Sequence, residues 1–167
     1  MGVRVCQPRG IYGRDGVRAS LTGSLLLIGL FALAAPAQAS LGASRATVEA
    51  DRAHLAASRT SRAVSLYAVD MMALANGGTV KEYSRSDGTV FAVTWMGPGR
   101  PDLRQLLGSH FSALQTDNVR KGPRTRRPLS VNRTDFVVQS GGHSGAFWGV
   151  AILPGVAPAG FSAADVK

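Results

Sequence analysis

Apolar residues are distributed unevenly along this chain, and each pattern predicts a different element. An unbroken apolar run, "LLLIGLFALAA", spans Leu25 to Ala35. Arg45 to Val64 is alanine-rich with few large apolar side chains, only Val48 and Leu55. Ala46, Ala50, Ala53 and Ala57 line one helical side, while Arg45, Arg52 and Arg59 recur seven apart on another. This stretch is expected to be a loosely docked helix, with a disordered lead-in as the alternative. From Val64 the pattern changes to "VSLYAVDMMALA", "TVKEYS" and "TVFAVTW", separated by Asn76-Gly77-Gly78 and Ser86-Asp87-Gly88. Asn-Gly and Asp-Gly between β-rich runs mark tight hairpins, whose turns need positive φ. A meander over 65–74, 79–84 and 89–95 follows. In its third strand, strict alternation places Phe91, Val93 and Trp95 on one face and Val90 and Ala92 on the other. Apolar residues on both faces suggest a covered, central strand.

The period then lengthens. Leu103, Leu106, Leu107, Phe111 and Leu114 recur at helical spacing. A helix over 101–115 is predicted, with Pro101 at its first position and Asp102 where the dipole favours an anion. Gly108 inside it costs about 1 kcal/mol relative to alanine and suggests a close neighbour. "LSVNRTDFVVQ" and "AFWGVAILP" read as two more strands, with Phe147, Ala151 and Leu153 on one side and Trp148, Val150 and Ile152 on the other. The expected fold is therefore α+β: a mainly antiparallel sheet of about five strands, one amphipathic helix packed on it, and an N-terminal helical or frayed segment.

The N-terminus changes the picture of destination. Arg4, Arg9, Arg14 and Arg18 precede the Leu25–Ala35 run, and Ala37-Gln38-Ala39 supplies small residues after it. That order is a secretory signal peptide. Its apolar run is short of the roughly 20 residues that a transmembrane helix needs. Cleavage after Ala39 is expected, with an uncleaved anchor as the alternative and no stable transmembrane segment once cleaved. The expected organisation is a signal peptide over 1–39, a lead-in over 40–63, one globular domain over 64–155 and a tail over 156–167. Cys6, the single cysteine, falls in the signal segment, so a mature chain has no disulfide or thiolate metal site. From Ser40 onward, 15 Lys and Arg stand against 9 Asp and Glu. Outside the cell membrane such a basic surface tends towards anionic envelope polymers or lipid head groups, with solubility alone as the alternative; the expected partner is an anionic envelope polymer or another envelope protein.

Two segments, "KEYSRSDGTVFAVTWMGPGRPDLRQLLGSHF" and "SGGHSGAFWGVAILP", resemble the bacterial domain of unknown function 2844 family. The first carries a Gly-x-Val-Phe-Ala-Val-x-Trp-x-Gly-Pro-x-x-Pro-Asp-Leu block at Gly88 to Leu103; the second carries Ser-Gly-Gly-His-x-Gly-Ala-Phe at Ser140 to Phe147. The resemblance implies a short exported protein. It implies no activity, so no catalytic residue is carried over. The family pattern often has an apolar residue at the place of Ser144, which counts against that serine as a nucleophile.

Candidate chemistry is sparse. Gly142-His143-Ser144-Gly145 invites a serine-elbow reading. That motif requires Gly-x-Ser-x-Gly on a strand-to-helix turn with a histidine later in the chain; here Ala146 ends the motif, a strand follows, and no histidine lies after Ser144. The glycines read more simply as φ-permissive corners. His143 lacks a second metal ligand at local spacing and is expected to hydrogen-bond its turn. Glu82, with Asp70 or Asp102, could form an acid–base pair; the simpler expectation is a carboxylate facing water or pairing with Arg85 or Arg133. Arg120, Lys121, Arg124, Arg126 and Arg127 crowd a Pro/Gly-rich loop suited to anions, with a solvated loop as the alternative. Without interleaved aromatics, nucleic acid is not expected there. Trp95, Trp148, Phe91, Phe147 and Phe111 are expected in the core.

The functional expectation is an exported, non-catalytic binding or accessory module without cofactor or metal. Its rivals are a small hydrolase using His143 with Glu82 or Ser144, and a structural subunit of an envelope assembly.

Overall fold

The computed structural model describes residues 41–120, 128–161 and 166, with residues 119 and 120 described by backbone alone. The proposed signal segment, with Ala37 and Ala39, and the side chains of Arg120, Lys121, Arg124, Arg126 and Arg127 lie outside the described residues.

The chain is α+β, and its described residues build one antiparallel sheet of seven strands. They are β1 (Ser58–Val64), β2 (Tyr67–Ala73), β3 (Thr79–Arg85), β4 (Val90–Gly97), β5 (Leu129–Asn132), β6 (Val137–His143) and β7 (Ala146–Ile152). Their spatial order is β1-β2-β3-β4-β7-β6-β5. Two meanders, β1 to β4 and β5 to β7, thus meet at the β4–β7 pair, where Trp95 lies opposite Gly149. The hairpins expected at Asn-Gly and Asp-Gly form as read: Gly77 and Gly88 take φ +81° and +86°. Asn76 and Asp87 also accept the backbone N–H groups of Gly78 and Thr89 at 2.9 and 2.8 Å.

Two strands exceed the five expected, for identifiable reasons. The alanine-rich stretch is not one helix. A 3-10 turn and a short helix α1 (Val48–His54) occupy its first half. Ala56, at φ +48°, then reverses the chain into β1. Polar alternation explains the choice, because Arg59 and Ser61, two apart on a strand, both reach Asp70 on β2. The second surprise is "LSVNRTDFVVQ", which is a hairpin rather than one strand. Its polar centre turns, the Arg133 N–H donating to the Phe136 carbonyl at 2.9 Å. Phe136 is then buried, stacked 5.0 Å from His110.

The expected helix over 101–115 is also divided. It becomes α2 (Leu103–Leu107), a 3-10 turn over Gly108–His110, and α3 (Phe111–Arg120). Gly108 takes φ +51°, a conformation that breaks α-helical continuity and suits glycine. Asp102, not Pro101, begins α2: its carboxylate accepts from the N–H groups of Arg104 and Gln105 at 2.9 and 3.2 Å, a side-chain N-cap.

A β-bulge decides the sidedness of β4. The β3–β4 register shifts between Tyr83 and Ser84, leaving Phe91 as the extra residue. Val90, Val93 and Trp95 therefore face the helices, whereas Phe91 joins Ala92 on the opposite face. Simple alternation had paired Phe91 with Val93 and Trp95. The helix-covered face buries Val48, Met72, Val80, Leu106, Leu107, Leu114 and Val138. On the other face Tyr67, Tyr83 and Phe91 are capped by Phe161 from the C-terminal segment, whose ring lies edge-on 4.7 Å from Phe91. The segments read as lead-in and tail thus both pack on the sheet: the first supplies α1 and β1, the second part of the opposite core.

Candidate functional site

Antiparallel pairing assigns every strand residue to a face, and the two faces differ in chemistry. Beneath α1, the helix-covered face holds a buried polar cluster. Asp70 is fully buried and receives two arginines: Arg45 through Nε at 2.7 Å and Nη2 at 3.1 Å, and Arg59 through Nη2 at 2.8 Å. The Ser61 hydroxyl donates to the same carboxylate at 2.5 Å. These hydrogen bonds outweigh desolvation and hold the Asp70 carboxyl down at about 2.

Glu82 lies directly across the β2–β3 pair from Asp70 and is also fully buried. It neither faces water nor pairs with Arg85 or Arg133; Arg133 bonds Asp117 at 2.8 Å instead. Burial, then the charge of buried Asp51 on α1, pushes the Glu82 carboxyl up to about 9. Among the described residues, neither Glu82 oxygen nor Asp51 Oδ2 has a donor when both groups are ionised. A proton on Glu82 turns this repulsive pair into a donor and an acceptor. Asp51 Oδ1 already accepts from Gln105 Nε2 at 2.7 Å. Asp51 escaped the sequence reading, although it shares helical spacing with Val48 and Leu55, the large apolar residues of its segment. An acid on an apolar stripe was the available signal.

The other expected residues are dispersed. His143 and Ser144 sit at the β6–β7 turn, where His143 is exposed and its Nδ1 lies 2.9 Å from the Ser144 carbonyl. Glu82 shares a lateral row with Val93, Ala151 and Val138. His143 is five residues beyond Val138 on β6, three strands from β3, so the two lie roughly 22 Å apart by strand geometry. The structure brings Glu82 to Asp70 and Asp51, not to His143 or Ser144. Asp102 caps α2 and lies 3.2 Å from His54 Nε2. Among the described residues, no three or more His, Cys, Asp or Glu side chains are placed so that they could hold a metal ion.

The open face carries the concave feature. A groove of about 840 Å³ runs over β2, β3, β4, β7 and β6, lined by Met71, Lys81, Met96, Gln139, Trp148 and Val150 among others. That volume lies within the usual 300–1,000 Å³ of small-molecule sites. Met96 and Trp148 are cross-strand neighbours, 66% and 48% exposed. The sequence reading had placed Trp148 in the core, because apolar alternation identifies a face without saying whether anything covers it. A glycine fixes the ring: a Cβ on Gly141 would meet Trp148 Cζ2 at 3.1 Å, so the indole lies across the bare backbone of β6. A second hollow of about 450 Å³ continues the groove past Thr79, Met96 and Trp148 to Gly97, Pro98 and Phe147.

The family model for proteins of unknown function designated DUF2844 matches residues 37–166. The chain belongs to this family. In this DUF2844 protein the first motif block forms β4, the turn after it and the cap of α2, and the second forms the β6–β7 hairpin. Both blocks therefore border the groove: Met96, Gly97 and Pro98 come from one, and Gly145, Ala146 and Phe147 from the other or its edge. No curated protein and no solved structure matched the chain. Among the described residues no helix of this DUF2844 protein is long and apolar enough to cross a membrane.

Proposed function

We propose that this protein is a non-catalytic binding module of the cell envelope that holds an apolar ligand in the open-face groove. One observation carries the reading: Met96 and Trp148 stand exposed side by side on a sheet face whose other half is already covered by Phe161 and its neighbours. Large apolar side chains left out on a concave surface are a common mark of ligand sites. The signal pattern of residues 1–39 supports an exported destination.

The reading is checked by titrating decanol, below its solubility limit, into the purified protein by calorimetry. Saturable binding is expected. Trp148→Ser should weaken it about tenfold, the scale expected when a buried aromatic contact is lost, while leaving the thermal midpoint nearly unchanged because the ring is half exposed. Absence of saturable binding to the wild-type protein would overturn the proposal.

A further inference from the structure

The two faces of the sheet are sorted by charge as well as by cover. The strands contain two acids, Asp70 and Glu82, and both face the helices. By pairing register, the strand positions of the open face carry Arg62, Lys81 and Arg85 and no acid. Arg85 is engaged, lying 3.4 Å from Asp87 and donating to the Val156 carbonyl at 3.3 Å. Arg62 stands on the outermost strand, opposite Val69. Lys81 is the cation within the groove lining, and it makes no ion pair among the described residues.

Register also orders the groove into rows. Met71, Lys81, Thr94, Val150 and Gln139 form one lateral row across β2, β3, β4, β7 and β6. Ala73, Thr79, Met96, Trp148 and Gly141 form the next. The first row mixes an ammonium, a hydroxyl and an amide with apolar side chains; the second is mainly apolar and leads into the hollow at Gly97 and Pro98. From Thr94 to Pro98 this path is roughly 13 Å long at the rise of an extended strand. The surface is therefore polar and cationic at one end and apolar along the rest.

We infer that the groove takes a single-chain anionic amphiphile, a fatty carboxylate, with its acid group at Lys81 and its chain running over Met96 and Trp148. This rests on the groove being the ligand site. A carboxylate suits one ammonium flanked by neutral hydrogen-bonding side chains; a phosphate dianion is better matched by clustered guanidinium forks. A polar anionic polymer would leave the Met96–Trp148 row without apolar contact.

The test compares decanoate with decanol, both below their aggregation concentrations, on purified wild-type protein and on Lys81→Gln and Lys81→Arg variants. Calorimetry gives the affinities, and the ¹³C shift of labelled decanoate carboxyl reports its contact. Lys81→Gln should weaken decanoate about fivefold, the upper scale for a partly exposed ion pair, and weaken decanol distinctly less. Lys81→Arg should retain decanoate. If decanol binds but decanoate is indifferent to Lys81→Gln, the assignment of the acid group falls and the apolar groove stands. If neither ligand binds the wild-type protein, both readings fall.

Discussion

Replacing Glu82 with glutamine is expected to raise the thermal midpoint markedly at pH 8 and hardly at all at pH 5. In the folded protein Glu82 keeps its proton up to about pH 9, against an ordinary value of 4.5. Above pH 4.5 the unfolded chain releases that proton and the folded chain does not. The folded state binds more protons through this window, so stability falls as pH rises from about 4.5 to about 9. Glutamine is neutral at every pH, and its amide can donate to Asp51 as the protonated acid does. The gain at pH 8 should be on the order of 3 kcal/mol. Asp70 has the opposite sign. Its depressed value, about 2, gives stability that is present above 3.8 and lost as pH falls through 2. Together the two carboxyls place the optimum on the acid side of neutrality, near pH 4 to 5. Calorimetric melts of both proteins from pH 3 to pH 9 provide the check. A wild-type midpoint flat between pH 5 and pH 9 would sink this account of Glu82.

Gly149→Ala should be a strongly destabilising small substitution in the buried core of the sheet. A Cβ there would lie 2.0 Å from Trp95 Cζ2 and 2.2 Å from Cε2, inside the indole ring. Trp95 is itself buried between the sheet and the helices, so the ring has little room to retreat. Overpacking of a tight core costs about 1–3 kcal/mol and occasionally more; a contact this close belongs at or above the upper end. Trp95→Leu alone should also destabilise by leaving space, although it removes an indole N–H that is buried without an acceptor among the described residues. The double variant should be more stable than the two losses added together. Urea melts of the four proteins measure that coupling, and strict additivity would show that the ring and the glycine do not oppose each other.

What could be read in the sequence divides along physical lines. Turns whose chemistry is local, Asn76-Gly77 and Asp87-Gly88, fell where the residues placed them. So did the helical repeat of Leu103, Leu106 and Leu107, because period and burial coincide there. Elements that depend on distant partners did not. Ser58 to Val64 becomes a strand because Arg59 and Ser61 meet Asp70, a residue on another strand, and an alanine-rich context concealed this. The bulge at Phe91 inverts a face without leaving a compositional trace. The groove was legible only as aromatic residues on a strand; their exposure depends on tertiary cover, which alternation along one strand does not report. Glu82 was visible as an acid within a strand, but alternation alone pointed it to water or to Arg85 or Arg133, and its neighbour Asp51 came from a helix assigned no role. The Gly-His-Ser-Gly stretch proved to be a hairpin turn, with Gly142 and Gly145 both at positive φ.

The junction of the two meanders also has a kinetic consequence. Every neighbouring strand pair except β4–β7 joins consecutive strands, whereas Trp95 and Gly149 meet across more than fifty intervening residues. Short-range hairpins close quickly, while a long loop must surrender its entropy before the pairing that rewards it forms. Each half can therefore acquire local order early, and their union governs the speed of folding. Stopped-flow refolding should show mildly destabilising changes at Val93 or Ala151 slowing refolding, and changes at Thr60 on the outermost strand chiefly hastening unfolding. In this chain, then, the ring of Trp95 over the bare backbone of Gly149 is the place where two separately nucleated sheets become one.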